Sequence, residues 1–353
     1  MTVRLAVSVG CPCGIGPEVS AQAALEAPRG VGLLLVSAYE AISRAIPRAA
    51  WRRFVRVESP EEAWSLPAGQ TGVWNPLETA RQGSPSDREY ERPGPFGKPS
   101  PRDGAAQLAW VNAACDLAAS GRADAMVTGP VSKEVIASSG APGASQFLGH
   151  TEHLQRRLKA REVVMAFWNE RFSTSLVTTH LPLAKVPRAT TPAAVARATY
   201  WLAWLCLALR EGRRVPRISV CSLNPHAGEG GLLGGEEARA IVPGIAQARA
   251  RLARAGARTG AVAFEGPIGA ETAFRKASGG AYAGVVAMYH DQATIPMKLV
   301  GFGESVNVSL GLPIVRTSVD HGTGYDIAGK RVADPRGMKE AVALAARLAR
   351  VPR

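Results

Sequence analysis

The sequence predicts an α/β protein with a largely parallel sheet, and three observations carry that expectation. Short apolar runs rich in Val, Leu and Ala alternate with longer helical runs along the 353 residues, as in chains built from repeated strand–helix units. The first run, Leu5–Gly10, passes through a glycine turn into a helix opening near Pro17, a residue suited to the first helical position. Three of the 6 histidines, His180, His226 and His290, close strand-like runs, which is where an α/β enzyme presents its chemistry.

The elements follow in order. After Leu5–Gly10 and its helix, Gly32–Ser37 is a second apolar strand leading into another helix. The stretch Arg81–Arg102 is rich in proline, glycine and charge and is the one segment that reads as irregular or disordered. A long helix over Gly104–Ser120 feeds the strand Ala123–Gly129, and the strands Glu162–Trp168 and Ser173–Thr179 come next. The helix Thr191–Arg210 follows; its most apolar part, Tyr200–Leu209, is too short to span a bilayer and reads as a core or interface helix. The strand Ile218–Leu223, the helix Glu236–Ala255, the strand Ala283–Tyr289 and a last helix from Gly337 complete the alternation, with no internal repeat.

Composition narrows the function classes. A hydrophobic content of 46% supports a substantial core. The formal net charge of +13 could signal nucleic acid, but the arginines are scattered over helices such as Ala246–Arg258 and Arg347–Arg353, with no aromatic-interleaved basic block. A basic surface that attracts anionic substrates is the expectation, and a nucleic-acid-binding protein is the remote alternative. Five cysteines, with Cys11-Pro12-Cys13 lacking a second pair, fit a reduced, cytoplasmic protein better than a zinc-staple fold. The N-terminus carries no long apolar segment of the signal-peptide kind, and no membrane partner is expected.

Each motif has a chemical and a structural reading. The turn from Gly10 to Glu18 either admits a ligand to helix N-terminal N–H groups or simply turns the chain, and Pro17 within it spoils a dinucleotide fingerprint. His180, His226 and His290 could hold one ion through three imidazoles, a donor set that suits zinc, cobalt or nickel in a catalytic site. His150-Thr151 at a helix start, with Lys298 and Arg316 added, points to an anionic ligand. Arg316 lies in the apolar run from Leu312 to Val315, where a lone charge is costly. The glycine-rich stretch Asp320–Lys330 is either a cofactor-wrapping loop or a surface loop.

Together these segments resemble one family. Gly14-Ile15-Gly16-Pro17-Glu18, Thr128-Gly129-Pro130-Val131-Ser132-Lys133, Gly149-His150-Thr151-Glu152 and Thr179-His180-Leu181-Pro182-Leu183 stand in the order found in 4-hydroxythreonine-4-phosphate dehydrogenases. Asn224-Pro225-His226-Ala227-Gly228-Glu229, Tyr289-His290-Asp291-Gln292 and Asp320-His321-Gly322-Thr323-Gly324 continue the match along nearly the whole chain. The resemblance implies a two-domain fold like that of isocitrate and isopropylmalate dehydrogenases, with the active-site cleft between domains. The expected cofactor-side domain covers residues 1–128 and 281–353, and the expected dimerisation and metal side covers residues 129–280. It implies a divalent metal (zinc, cobalt or magnesium) on His180, His226 and His290, and substrate contacts from His150, Thr151, Lys298, Asn307 and Arg316. It also implies a homodimer with a shared active site.

In the same superfamily an adenosine-binding loop resembles the segment here that includes Gly322 and Asp326. Asp326 would accept the ribose 2′-hydroxyl and repel a 2′-phosphate, so NAD is expected over NADP, with Asp334 a candidate for adenine contact. The implied reaction is oxidation of 4-phosphohydroxy-L-threonine followed by decarboxylation. Lys133 and Asp291 are the candidate bases. Cys11, Cys13 and Glu271 depart from the family's usual acidic residue, alanine and aspartate. Those departures keep open a sister dehydrogenase acting on 4-phospho-D-erythronate or 4-phosphothreonate.

Overall fold

The computed structural model describes residues 2–79, 90, 92–210, 212, 214–258 and 260–351. Of the irregular stretch expected over Arg81–Arg102, residues 81–89 and 91 lie outside the described residues. Among the described residues the strands are β1 (Val3–Ser8), β2 (Val31–Val36), β3 (Phe54–Arg56), β4 (Thr71–Trp74), β5 (Ala125–Thr128) and β6 (Val164–Trp168). They continue with β7 (Ser173–Leu176), β8 (Arg217–Cys221), β9 (Ala263–Ile268), β10 (Gly284–Ala287), β11 (Val306–Leu310) and β12 (Arg316–Val319).

The chain divides into two compact units, Met1–Arg161 with Leu312–Arg353, and Glu162–Gly311. The first is discontinuous, as the sequence suggests, but its boundaries differ from those expected. Residues 129–161 belong to the first unit, where the helix Lys133–Ala137 packs on the helix Pro101–Ala119. Residues 281–311 belong to the second unit, because β10 pairs with β7 and β8, and β11 pairs with β6.

In the first unit the strand order is β3-β4-β2-β1-β5-β12, every pair parallel. Its central strands are buried and almost wholly apolar, Leu5, Ala6 and Val7 in β1 and Leu33, Leu34 and Leu35 in β2, as a sheet covered on both faces requires. Helix Pro101–Ala119 starts on a capping box in which Ser100 and Asp103 serve each other's backbone N–H groups, with Pro101 at the first turn. Asp103 is fully buried, and the Tyr90 hydroxyl, the Gly94 N–H and both the N–H and hydroxyl of Ser100 donate to its carboxylate. Those four donors offset its desolvation.

In the second unit the order is β11-β6-β7-β10-β8-β9; the two pairs involving β6 are antiparallel and the rest parallel. Its core gathers Phe167, Phe172, Leu176, Phe274, Tyr282 and Met297. Helix Pro192–Leu209, capped by Thr191, is long and apolar enough by length and composition to cross a membrane. Here it packs on helix Val242–Arg254 and against β6, β7, β10 and β11, so it is a core helix. The helix expected over Glu236–Ala255 begins instead as a π-turn, Glu237–Ile241, and becomes α-helical from Val242 to Arg254.

Candidate active site

The three strand-end histidines all lie in the second unit. β7, β10 and β8 are neighbouring parallel strands, and His180, His290 and His226 leave their carboxyl ends in that order. His290 opens the helix His290–Gly301 directly after β10. The Gln292 side chain accepts the Met288 N–H at 2.7 Å and donates to the Ser222 carbonyl at 2.9 Å, tying the end of β10 to the end of β8. His180 and His290 approach with ring centroids 5.7 Å apart. The Asp291 carboxylate lies 2.7 Å from His290 Nδ1, which leaves Nε2 as the ring's available donor atom.

His226 sits on a different kind of backbone. Residues His226 to Gly230 all have positive φ, with values of 51°, 54°, 80°, 42° and 68°. Three of them are not glycine, and each left-handed non-glycine residue costs about 1 kcal/mol. The segment is clamped by Glu237, only 6% exposed, which accepts the N–H groups of Leu223 and Asn224 at 2.9 Å each and the Asn224 amide at 3.0 Å. Those bonds hold the Glu237 carboxyl below its ordinary range against the opposing effect of burial, which is the largest single influence.

The donor set suits a borderline ion such as zinc. Two imidazoles bound to one tetrahedral ion at about 2 Å have ring centres about 5 Å apart, so the 5.7 Å between His180 and His290 fits two ligands of one ion. Among the described residues no three His, Cys, Asp or Glu side chains form a group that could hold a metal ion.

Three of the residues expected to meet an anion, His150, Thr151 and Arg316, lie in the first unit. Arg316, 3% exposed, begins β12 and extends along the sheet to donate from Nη2 to Thr128 Oγ1 at 2.6 Å, at the carboxyl end of β5. Burial pushes its guanidinium down to about 9, with the Glu152 carboxylate opposing. A guanidinium stays protonated in proteins, and the Glu152 carboxylate offsets part of the cost of burying it. His150 opens helix His150–Arg157, with Thr151 buried behind it. Burial, then the charges of Arg316, His153 and Lys133, pushes His150 well below its ordinary value, and its buried Nε2 makes no hydrogen bond. Gly149 before it has φ +154°, and a Cβ there would come within 3.0 Å of Glu152 and 3.4 Å of the Lys133 side chain. Lys133 therefore stands at the same helix start as His150.

The other expected residues lie elsewhere. Lys298 is exposed on the helix that His290 opens, and Asn307 is half-buried on β11, paired across the sheet with Phe167. Asp326 and Gly322 are exposed in the late loop, and a Cβ at Gly322 would meet nothing within 4 Å. Asp334 is bound to the Arg336 guanidinium at 2.7 and 2.9 Å, which holds its carboxyl below the usual range.

The first glycine turn serves the fold. The Ile15 N–H is taken by the Thr323 carbonyl at 2.9 Å, and the Cys11 N–H by the Pro130 carbonyl at 2.8 Å. A Cβ on Gly14 would lie 2.5 Å from Thr323 O, and one on Gly10 2.2 Å from Pro130 O. These glycines admit two other chain segments, one of them the late loop. Cys11 is fully buried with its Sγ 3.3 Å from the Tyr325 hydroxyl. Glu271 is exposed and bonded to Thr272 and Arg275. All five cysteines are free and buried.

Sequence reasoning missed Thr178, Thr128, Glu237 and Gln292 as organisers of these sites. All but Glu237 lie within or beside the quoted motifs.

With this geometry in hand, residues 40–345 match the family described as pyridoxal phosphate biosynthetic protein PdxA. The chain belongs to the PdxA family. A 4-hydroxythreonine-4-phosphate dehydrogenase of Geobacter metallireducens is 41% identical over 351 residues, covering 99% of this chain and 96% of its own. One of Desulfosudis oleivorans is 39% identical over 343 residues, covering 97% and 94%. Among solved structures, the 4-hydroxythreonine-4-phosphate dehydrogenase of Klebsiella pneumoniae matches with a TM-score of 0.77 at 30% identity, over 99% of this chain and 100% of the other. A terephthalate 1,2-cis-dihydrodiol dehydrogenase of Burkholderia xenovorans matches with a TM-score of 0.64 at 26% identity, over the full length of both chains. The PdxA chain thus has the isocitrate/isopropylmalate dehydrogenase-like α/β fold of these oxidoreductases.

Proposed function

We propose that this chain is an NAD-dependent and divalent-metal-dependent 4-hydroxythreonine-4-phosphate dehydrogenase. It would oxidise 4-phosphohydroxy-L-threonine to 2-amino-3-oxo-4-phosphooxybutanoate, which loses carbon dioxide to give 3-amino-2-oxopropyl phosphate. The observation that carries the reading is three strand-end histidines on adjacent parallel strands of the second unit, in a chain with PdxA relatives along its length and with a buried Arg316 and a half-buried His150 in its first unit.

In this reading Arg316, His150, Thr151 and Lys298 hold the phosphate, so binding energy from a non-reacting group orients the secondary alcohol. Asn307 adds a polar contact. A bound ion (zinc, cobalt or magnesium) supplies Lewis acidity at the alcohol, and NAD is the hydride acceptor. His180, His226 and His290 are its ligands, with Asp291 fixing the His290 ring. That contact favours Lys133, beside His150, over Asp291 as the residue that takes the hydroxyl proton. Gly322 and Asp326 receive the adenosine; Asp334, already bound to Arg336, is the weaker contact.

A homodimer is part of the proposal. Leu181, Leu183, Leu232, Leu233, Leu299 and Phe302 are exposed on the same segments that carry the three histidines, Leu232 at 85% and Leu299 at 81%. Such a concentration of exposed large apolar side chains marks an interaction surface, and a second copy there could supply the ligand that one chain leaves apart. A cytoplasmic setting fits the five free thiols. Against nucleic-acid binding, arginines such as Arg122, Arg157, Arg217, Arg251 and Arg336 are engaged with carboxylates.

NADH formation by the metal-reconstituted protein, offered 4-phosphohydroxy-L-threonine, 4-phospho-D-erythronate and 4-phosphothreonate in parallel, tests the reading. Turnover of the first above the others supports it, and preference for another moves the enzyme to a sister reaction. Silence on all three with metal bound rejects the dehydrogenase.

A further inference from the structure

Glu18 is 2% exposed, in the first turn of helix Gly16–Leu25. Its Oε1 accepts the Ala333 N–H at 3.0 Å, the Arg331 N–H also bonds to this carboxylate, and Oε2 is buried without a partner. Burial holds the carboxyl above its ordinary range, with those two N–H groups opposing. A carboxylate so placed is costly to keep unless it fixes something. What it fixes is the stretch that follows Asp326–Lys330, where Arg331 adopts a left-handed φ of 58°. The other end of the same loop is held by the Thr323 carbonyl on Ile15 and by the Tyr325 hydroxyl on Cys11. The loop is therefore pinned at both ends to one turn, its exit by Glu18.

We infer that Glu18 is a positioning residue for the dinucleotide, setting the loop on which the Asp326 carboxylate meets the ribose. The inference rests on the reading of that loop as the adenosine site. A glutamine of equal size keeps an acceptor in the Oε1 position, so Glu18→Gln retains the latch, whereas Glu18→Leu and Glu18→Ala remove it.

The test is NADH binding followed by ligand fluorescence, with steady-state kinetics of the metal-loaded enzyme. In Glu18→Ala and Glu18→Leu the NADH Kd and the KM for NAD rise about tenfold and in Glu18→Gln they stay near wild type, while kcat and the phosphorylated substrate's KM stay within about twofold in all three. Amide exchange quickens over residues 320–333. A folded Glu18→Leu protein with wild-type NADH affinity and wild-type loop exchange overturns the inference, and this variant carries the test if Glu18→Ala does not fold. Asp326→Ala separates the two layers. If it leaves NADH affinity unchanged, the loop reading falls and the latch with it; if it weakens binding while the Glu18 variants do not, only the latch falls.

Discussion

Thr178 donates both its backbone N–H and its hydroxyl to the Met288 carbonyl, at 3.1 and 2.8 Å. One residue thereby locks the ends of β7 and β10 together two positions before each strand delivers its histidine. The His180–His290 spacing depends on that lock. Thr178→Val keeps the shape and removes the hydroxyl. It should cost about 1 kcal/mol of stability and weaken metal binding roughly tenfold. Urea unfolding and calorimetric zinc titration read the two effects, and unchanged zinc affinity would show that the lock does not govern the site.

Asp291→Asn separates two roles. If the carboxylate orients His290, zinc affinity falls about tenfold and added metal restores most of the turnover. If Asp291 is the base, metal content stays normal and kcat collapses at every metal concentration. Metal analysis beside kcat decides between them, and the 2.7 Å contact to Nδ1 predicts the first.

Gly10→Ala should destabilise the first unit by about 3 kcal/mol. The residue has φ +84°, and its new Cβ would stand 2.2 Å from the Pro130 carbonyl oxygen, which is backbone and cannot swing aside. A urea midpoint within error of wild type would show that the turn can relax.

Acid should destabilise the protein from the ordinary histidine range downward. Burial first, then neighbouring positive charge, lowers His150 well below 6.5 and His153 to about 4. The unfolded chain takes up protons near 6.5 that the folded chain refuses, so stability is intact above that pH and is lost as pH falls toward 4. The loss is of order 1 kcal/mol after allowing for solvent around His153. His153→Gln should flatten the fall of urea midpoint with pH; an unchanged slope would place the proton uptake elsewhere.

Leu232→Asp, at an 85% exposed position, should leave the chain folded and make it monomeric by light scattering. If the partner copy completes the metal site, the same variant loses zinc. Retained dimer and zinc together would remove that surface from the interface.

The alternation of apolar runs made the α/β class and the parallel core legible, because buried parallel strands such as Leu33–Leu35 need apolar residues on both faces. The unit boundaries were less legible. Residues 281–311 look like a continuation of the late chain, yet β10 finds its partners in β7 and β8, and pairing across the chain leaves no local signal. The histidines and Arg316 stood out as polar groups at the ends of apolar runs, but what positions them did not. Thr178, Thr128 and Gln292 act through bonds to residues between 70 and 188 positions away, and Glu237 acts through a π-turn that reads as plain helix. The Gly10–Glu18 turn looked equally suited to a ligand and to a bend; the carbonyls of Pro130 and Thr323 occupy it.

The divided first unit has a consequence for synthesis on the ribosome. The segment Glu162–Gly311 is contiguous and has all its strands once residue 311 has emerged. The unit begun earlier waits for β12, for the loop that Glu18 grips and for the last helix, Arg336–Ala349, which packs on β1, β5 and β12. At ~10 residues per second the outer edge of β5 stays uncovered for about 20 s, open to unwanted pairing. The half begun first is completed last, so a circular permutant that places residues 312–353 ahead of β1 should give a higher soluble yield without altering the finished enzyme.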